Sequence, residues 1–305
     1  MEKALIEWLR KKFGRTDFAT VGIGDDCAVL PQSESSYVVT CDAICDSIHF
    51  SSRELTAQEI GRKALAVNLS DLASMGATAQ SALVTLVLPS SLGIDYAKDI
   101  FRGMKPLAES YGVEIVGGDT ITGKTNLMVS ITAIGIAPSS GSWLISEAQP
   151  GDQIVVTGEF GGSILGHHVT FEPRLNFAQQ WRNEEGVIKA CTDVSDSLGI
   201  DLAKIAKASG LGFEIDLKQV PVSKAAYKMA STSGKTPLHH GLTDGEDFEL
   251  VLAIAPENWE RVRQATSDVR LTKIGQFTDD KKYRARTEER WEPFQPQGYE
   301  HTSNE

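Results

Sequence analysis

The sequence lacks several features that would place the chain in a specialised class of protein. It has four cysteines in 305 residues, and their spacing fits no C-x-x-C zinc pattern. A chain of this length can bury a large core without disulfides, so we expect reduced thiols. No apolar run approaches the roughly 18 residues that span a membrane. The predicted amphipathic N-terminal helix, MEKALIEWLRKKFG, lacks the apolar region of a signal peptide. These absences predict a cytoplasmic protein without a membrane partner.

An excess of basic residues is also missing. Lys and Arg number 30 against 41 Asp and Glu, which gives a formal net charge of −11. This charge disfavours a nucleic-acid partner held by phosphate contacts, and it equally disfavours a polybasic membrane-binding surface. It is compatible with carboxylates that hold metal ions.

Short apolar runs alternate with stretches of helical periodicity, which predicts a mixed α/β and α+β architecture. A stretch rich in Pro, Gly and Ser near residues 138–151 predicts a boundary between two domains, 1–138 and 139–305. From about residue 278 the sequence is charged and aromatic with little periodicity, so no regular element is predicted there.

Local signals predict individual elements. YVVTCD predicts a strand that ends at Asp42, and VEIVGGDT predicts a strand followed by a tight turn. LTAQEIGRKALAVNLSDLASMGA predicts a helix that begins with a capping box of Thr56 and Glu59 and stops at Gly76. In the second half, a strand runs into a helix with Ser195 as its candidate N-cap.

Aspartates recur where the predicted strands end. Asp71 lies instead inside the apolar helix, three residues after Asn68 and on the same face. Each residue alone is a common turn former or a solvated charge. As a set, buried carboxylates repel one another unless positive charge neutralises them, and no matching group of Lys or Arg stands beside them. Hard divalent cations would solve this problem, and Mg²⁺ in particular combines carboxylates with substrate phosphates. The recurring residues are Asp25, Asp26, Asp42, Asp119, Asp193 and Asp196.

The segment GDTITGKT, residues 118–125, fits the P-loop pattern and follows a predicted strand. A P-loop needs a helix after its last residue, because the helix N-terminus meets the phosphates. Here NLMVSITAIGI follows, which alternates like a strand. Asp119 would also place a carboxylate where phosphate oxygens should rest. We therefore expect no P-loop, and the motif remains a testable alternative.

Six segments occur in a fixed order along the chain: GIGDDCAVL, CDAICDSIHF, GRKALAVNLSDLASMGA, GGDT, DVSDSL and GEDFEL. Together they resemble the thiamine-monophosphate kinase family of the aminoimidazole-ribonucleotide synthetase superfamily. The likeness runs from about residue 20 to GYEH at 298–301. The resemblance implies an N-terminal α/β domain that binds ATP and Mg²⁺ and whose strands form a barrel across a homodimer. It also implies a C-terminal α+β domain that closes over the site.

The resemblance further implies direct transfer of the γ-phosphoryl group of ATP to thiamine monophosphate, with no covalent or general-base residue. By motif match, it implies that Mg²⁺ ions are held by Asp26, Thr40, Cys41, Asp42, Asp71, Asp119, Asp193 and Asp196. It implies nucleotide contacts at Gly118, Asp119 and Ser195. It implies thiamine phosphate contacts at His49, Glu246 and Tyr299.

Three features depart from the family pattern. Cys41 stands where a threonine is usual, and Ser197 stands where a glycine is usual. The boundary stretch GSWLISEAQPGD lacks the arginine usual in the family's nucleotide contact. We therefore expect a weak or relaxed preference for adenine nucleotides.

Two alternative functions are compatible with much of this pattern. One is a related ATP-dependent enzyme that acts on another phosphate-bearing substrate, and the segments GEDFEL and GY argue against it. The other is a catalytically silent nucleotide-binding dimer, and the intact set of costly aspartates argues against that.

Overall fold

The computed structural model describes residues 25–30, 36–288 and 290–299 of the chain. The predicted N-terminal helix lies outside these ranges. No helix within them combines the length and hydrophobicity needed to cross a bilayer. The four cysteines are free thiols, as expected.

The N-terminal part forms a five-stranded sheet. Its strands are β1 (Ala28–Leu30), β2 (Tyr37–Cys45), β3 (Thr78–Pro89), β4 (Glu114–Gly123) and β5 (Met128–Ile136). Their order is β1-β2-β5-β3-β4, and β3 pairs with β4 in parallel while the other neighbours are antiparallel. Every second residue of β5 is buried, because alternate side chains point toward the core.

Two 18-residue helices pack beside this sheet, α1 (Ala57–Ser74) and α2 (Ile94–Tyr111). The predicted capping box of α1 is confirmed. The Glu59 N–H donates to Thr56 Oγ1 at 3.2 Å, and the Thr56 N–H donates to Glu59 Oε2 at 2.8 Å. The chain leaves α1 through Gly76, whose φ of 68° favours glycine.

Helices α1 and α2 cross closely at two glycines. A Cβ atom on Gly61 of α1 would lie 1.9 Å from the carbonyl oxygen of Ile100. A Cβ atom on Gly103 of α2 would lie 1.9 Å from the carbonyl oxygen of Gln58. The absence of a side chain at both positions therefore sets the distance between the helices.

The C-terminal part forms a seven-stranded sheet. Its strands are β6 (Gln153–Thr157), β7 (Ile188–Asp193), β8 (Gly212–Asp216), β9 (Leu250–Ile254), β10 (Leu271–Thr278), β11 (Tyr283–Thr287) and β12 (Arg290–Pro293). Their order is β12-β11-β8-β10-β6-β9-β7. All residues of β6 and β9 are buried, so the centre of this sheet is covered on both faces.

Six further helices belong to this part. They are α3 (His167–Thr170), α4 (Leu175–Trp181), α5 (Leu198–Ser209), α6 (Lys224–Ser233), α7 (Pro237–Thr243) and α8 (Trp259–Ala265).

Helix α1 connects the two sheets. It packs against β2 and β5 of the first sheet. On its other side it packs against β7 of the second sheet and against helix α4. Leu69 and Leu72 on α1 are fully buried in a core that continues to Phe248. Burying a leucine side chain stabilises the fold by about 2 kcal/mol, so the helix is held from both sides. A second core lies around α5 and includes Leu202 and Phe213.

Three local predictions are corrected by the structure. Strand β2 does not end at Asp42 but continues to Cys45, because it pairs with β5 along its whole length. Strand β4 makes no tight turn at Gly117 and Gly118, since the parallel ladder with β3 continues after a register shift. The segment after residue 278 forms β11 and β12, which gain their order from pairing with β8 and with each other.

We predict that Gly61→Ala lowers the free energy of unfolding by at least about 2 kcal/mol, because the new methyl group meets the backbone of α2. Urea denaturation measures the change. Gly123→Ala is the matched control, because a Cβ atom there meets nothing within 4 Å. Equal stability of the two variants would contradict the close crossing.

Candidate active site

An acidic cluster forms where α1 meets strand ends from both sheets. Asp71 lies on α1, Asp193 ends β7, and Asp42 lies on β2. Burial raises the pKa of Asp71 well above its usual range, and three neighbouring carboxylates raise it further, namely Asp42, Asp193 and Asp26. Burial also raises the pKa of Asp193, with Asp26 as the next cause. The fold therefore brings four predicted ligands within electrostatic reach of one another.

Hydroxyl groups bind two of these carboxylates. Thr40 Oγ1 donates to Asp71 Oδ2 at 2.5 Å, and Ser70 Oγ donates to Asp193 Oδ2 at 2.6 Å. Each donor favours the ionised carboxylate and so lowers its pKa against the effect of burial. Thr40, a predicted metal-holding residue, thus faces the cluster.

Asp26 is paired with a lysine that the sequence did not indicate. Asp26 Oδ1 forms an ion pair with Lys204 Nζ on α5. Asp26 Oδ2 accepts hydrogen bonds from Thr192 Oγ1 at 2.9 Å and from Ser74 Oγ at 3.2 Å. The expectation that no basic residue accompanies the aspartates is therefore wrong. Only the tertiary fold brings Lys204 to Asp26, so no local signal could have found it.

A hydrogen bond from β2 to α1 and a further carboxyl group lie at the edge of the cluster. Asn68 Oδ1 accepts the N–H of Asp42 at 3.0 Å, which confirms that Asn68 and Asp71 share the face of α1 that meets β2. Burial and the charge of Asp26 raise the pKa of Asp25 to about 6.

In the part of the chain that the structure describes, no three or more His, Cys, Asp or Glu side chains form a group that could hold a metal ion as placed. The chemistry of the donor set nevertheless suits a hard divalent cation. The cluster offers carboxylate and hydroxyl oxygens, and its excess negative charge raises the pKa of Asp71. A bound cation would neutralise that excess.

Four other predicted residues meet beside the loop that follows β7. The N–H of Glu246 donates to the carbonyl of Ser195 at 2.8 Å, and the N–H of Tyr299 donates to the carbonyl of Asp196 at 3.1 Å. The fold thus places predicted nucleotide, metal and substrate contacts on one loop and its neighbours.

Ser197, not Ser195, is the N-cap of α5. Helix α5 begins at Leu198, so only the residue directly before it can cap the first turn. Ser197 Oγ accepts the N–H of Ile200 at 3.1 Å and donates to the carbonyl of Gln297 at 2.8 Å. Ser197 therefore links the C-terminal segment to α5.

Lys63 on α1 joins two predicted substrate contacts. Its fully buried ammonium donates to the carbonyl of His49 at 2.6 Å and to the two carboxylate oxygens of Glu246 at 2.8 and 3.0 Å. Glu246 has a φ of 61°, a conformation that costs a non-glycine residue on the order of 1 kcal/mol. The sequence analysis missed Lys63, although a lysine among the apolar positions of a buried helix is an available signal.

The remaining predicted residues lie away from the cluster within this chain. Strands β5 and β3 separate β4 from β2, so Gly118 and Asp119 on β4 lie roughly 14 Å from β2 across three strand spacings. Asp119 is exposed, and its Oδ1 accepts the N–H of Thr120 at 2.8 Å. Cys41 is exposed on β2, with its Sγ 3.6 Å from Ser130 Oγ.

The segment 118–125 is not a P-loop. It runs along β4 and into the turn before β5, so a strand follows it where a P-loop requires a helix. The expectation from the sequence is confirmed.

A separate cavity of about 350 Å³ is lined in part by His167, Asp247 and Glu249. Glu249 is paired with Arg174. Both carboxylate oxygens of Asp247 accept the N–H of Gly161 at 3.0 Å. Burial nevertheless raises the pKa of Asp247 well above its usual value of 3.8.

We predict that Asp247→Asn flattens the pH dependence of stability. The native carboxyl holds its proton to a higher pH than the unfolded carboxyl, so the free energy of unfolding falls as pH rises from about 4 toward the native pKa. The variant lacks this titration. Urea denaturation at several pH values, with the exposed Asp279→Asn as control, measures the slopes. Equal slopes in the wild type and Asp247→Asn would contradict a raised pKa of Asp247 in the folded protein.

Comparison with known proteins supports the two-domain fold described above. Residues 24–137 match the family model described as AIR synthase related protein, N-terminal domain, and residues 149–288 match its C-terminal domain. AaThiL complexed with AMPPCP and TMP has a TM-score of 0.85 and 24% identity, over 99% of this chain and 97% of that chain. The aminoimidazole-ribonucleotide synthetase-like fold with two domains is thereby confirmed.

Two relatives identify the family to which the chain belongs more closely than the domain models do. The thiamine-monophosphate kinase of Rhodopirellula baltica is 41% identical over 283 residues, which cover 90% of this chain and 89% of the relative. The thiamine-monophosphate kinase of Bacillus subtilis is 31% identical, over 92% of this chain and 93% of the relative. This chain therefore belongs to the thiamine-monophosphate kinase family.

Proposed function

We propose that this chain transfers the γ-phosphoryl group of ATP to thiamine monophosphate, giving thiamine diphosphate and ADP. The observation that supports this most directly is the acidic cluster around Asp71, in a chain 41% identical over 90% of its length to a thiamine-monophosphate kinase. AaThiL, whose fold is shared, is complexed with AMPPCP and TMP.

The chemistry requires two anionic phosphate groups to be aligned, and the rate of such reactions comes from positioning and charge neutralisation. Mg²⁺ bound at the cluster would neutralise the negative charge of the phosphate groups. The residues whose side chains would hold it are Asp26, Thr40, Asp42, Asp71, Asp193 and Asp196, and Cys41, whose thiol lies away from the cluster, would contribute only its backbone carbonyl. Thr40 and Ser70 keep two of the carboxylates oriented through their hydroxyl groups.

The candidate substrate contacts meet Lys63 and the loop that follows β7. We propose that His49, Glu246 and Tyr299 contact thiamine monophosphate, and that Ser195 contacts the nucleotide. Lys63 supports this arrangement, because one buried ammonium holds both the His49 carbonyl and the Glu246 carboxylate.

We propose a cytoplasmic homodimer in which β4 forms part of the barrel across the interface. Strand β4 is almost wholly exposed and presents Ile115, Val116 and Ile121 to solvent. Gly118 and Asp119 lie on this strand, so we propose that they reach nucleotide and metal only when the barrel forms. We place the division between the two domains at residue 138.

We predict equal amounts of thiamine diphosphate and ADP when the protein is incubated with thiamine monophosphate, ATP and Mg²⁺. Chromatographic separation of the products measures both. ADP without thiamine diphosphate would indicate a different phosphate acceptor. Magnesium-dependent ATP binding without any turnover would indicate the catalytically silent dimer.

The same assay tests the cluster. We predict that Asp71→Asn lowers kcat/KM by about 100-fold or more, because the lost carboxylate removes several kcal/mol of transition-state charge stabilisation. The fold should persist, since the asparagine amide oxygen can still accept the Thr40 hydroxyl. Asp95→Asn on the exposed start of α2 is the matched control. Turnover by Asp71→Asn at the wild-type rate and ordinary Mg²⁺ would remove Asp71 from the site.

A further inference from the structure

Lys204 brings a positive charge into the acidic cluster from α5. Its Nζ forms an ion pair with Asp26 Oδ1. Lysine carries its positive charge at neutral pH, and the ion pair with Asp26 favours the charged form. The cluster is therefore partly neutralised by the protein itself.

The carboxylate of Asp26 is enclosed and fully engaged. Its side chain is 3% exposed, and its two oxygens face Lys204, Thr192 and Ser74. A cation that approaches Asp26 Oδ1 meets the Lys204 ammonium at that oxygen, and two positive charges at one oxygen repel each other.

Lys204 has space to leave. Its side chain is 38% exposed, in contrast to that of Lys63, which is 0% exposed. The lysine stem is long and flexible, and its ammonium is strongly hydrated when it reaches water. The Lys204 side chain is therefore not enclosed along its whole length, as that of Lys63 is.

We propose that Lys204 is an exchangeable counter-ion of the acidic cluster, which occupies Asp26 in the metal-free protein and competes there with a divalent cation. This proposal rests on the proposed role of Asp26 as a ligand of Mg²⁺. The lysine stabilises the empty cluster and weakens Mg²⁺ binding at the same time.

Isothermal titration of the whole protein with Mg²⁺ alone tests the competition. Lys204→Met should bind Mg²⁺ about tenfold more tightly, or bind one additional ion, because a full positive charge has left a site with an effective dielectric constant of roughly 20. Lys207→Met, an exposed position on the same helix, should bind Mg²⁺ as the wild type does. Lys204→Arg keeps the charge and should stay within about twofold of the wild type.

Thermal denaturation supplies the second readout. Without Mg²⁺, Lys204→Met should melt below the wild type, because the carboxylates lose their neutralising charge. At saturating Mg²⁺ the two should melt together. A purely structural lysine would instead lower the melting temperature equally in both conditions and leave Mg²⁺ affinity unchanged, which would overturn the proposal. Weaker Mg²⁺ binding in Lys204→Met would also overturn it.

Asp71→Asn separates this proposal from the function proposed above. If Asp71→Asn binds Mg²⁺ as the wild type does, the cluster is not a metal site, and the assignment of Asp26 fails together with the competition. If Asp71→Asn loses Mg²⁺ binding while Lys204→Met gains none, only the role of Lys204 is wrong. Should Lys204→Met not fold, Lys204→Gln provides the same loss of charge with a polar side chain.

Discussion

The buried carboxylate of Asp71 is the constraint on which the rest of the site depends. It projects from α1, a helix that packs against both sheets, and its partial burial disfavours the charged form. Neighbouring residues offset the free-energy cost of placing this charge in the protein. Thr40 supplies a hydroxyl donor from β2, and Asn68 fixes the backbone of the same strand against the helix. Three more carboxylates converge on the same place, and the proposed Mg²⁺ would neutralise the negative charge that Lys204 leaves uncompensated.

Two lysines compensate negative charge in this region in different ways. Lys63 is fully buried and binds Glu246 and the His49 carbonyl through one ammonium, so it belongs to the permanent framework. Lys204 reaches Asp26 from a partly exposed position. The first joins residues of the two halves of the chain on one helix, and the second leaves room for exchange. Lys63 therefore supplies a fixed positive charge, and Lys204 supplies the positive charge that we propose to be exchangeable.

The sequence predicted the elements whose signals lie within a short stretch of the chain. The capping box of Thr56 and Glu59, the alternation in β5, and the strand after GDTITGKT are all read within about ten residues, and the structure has each of them. Features that depend on distant pairing could not be predicted in this way. Lys204 and Asp26 are 178 residues apart in sequence. Strand β4 continues through Gly117 and Gly118 because it pairs with β3. Strand β11 forms because it pairs with β8.

The central claim is that the carboxylates around Asp71 form a metal site for phosphoryl transfer. Anomalous scattering from crystals grown with Mn²⁺ and a non-hydrolysable ATP analogue tests it most directly, because Mn²⁺ accepts the same oxygen ligands as Mg²⁺. The account predicts anomalous peaks at coordination distance from Asp71 and at least one of Asp26, Asp42 and Asp193. Nucleotide bound with its Mn²⁺ ions held elsewhere, and no peak at Asp71, would contradict it.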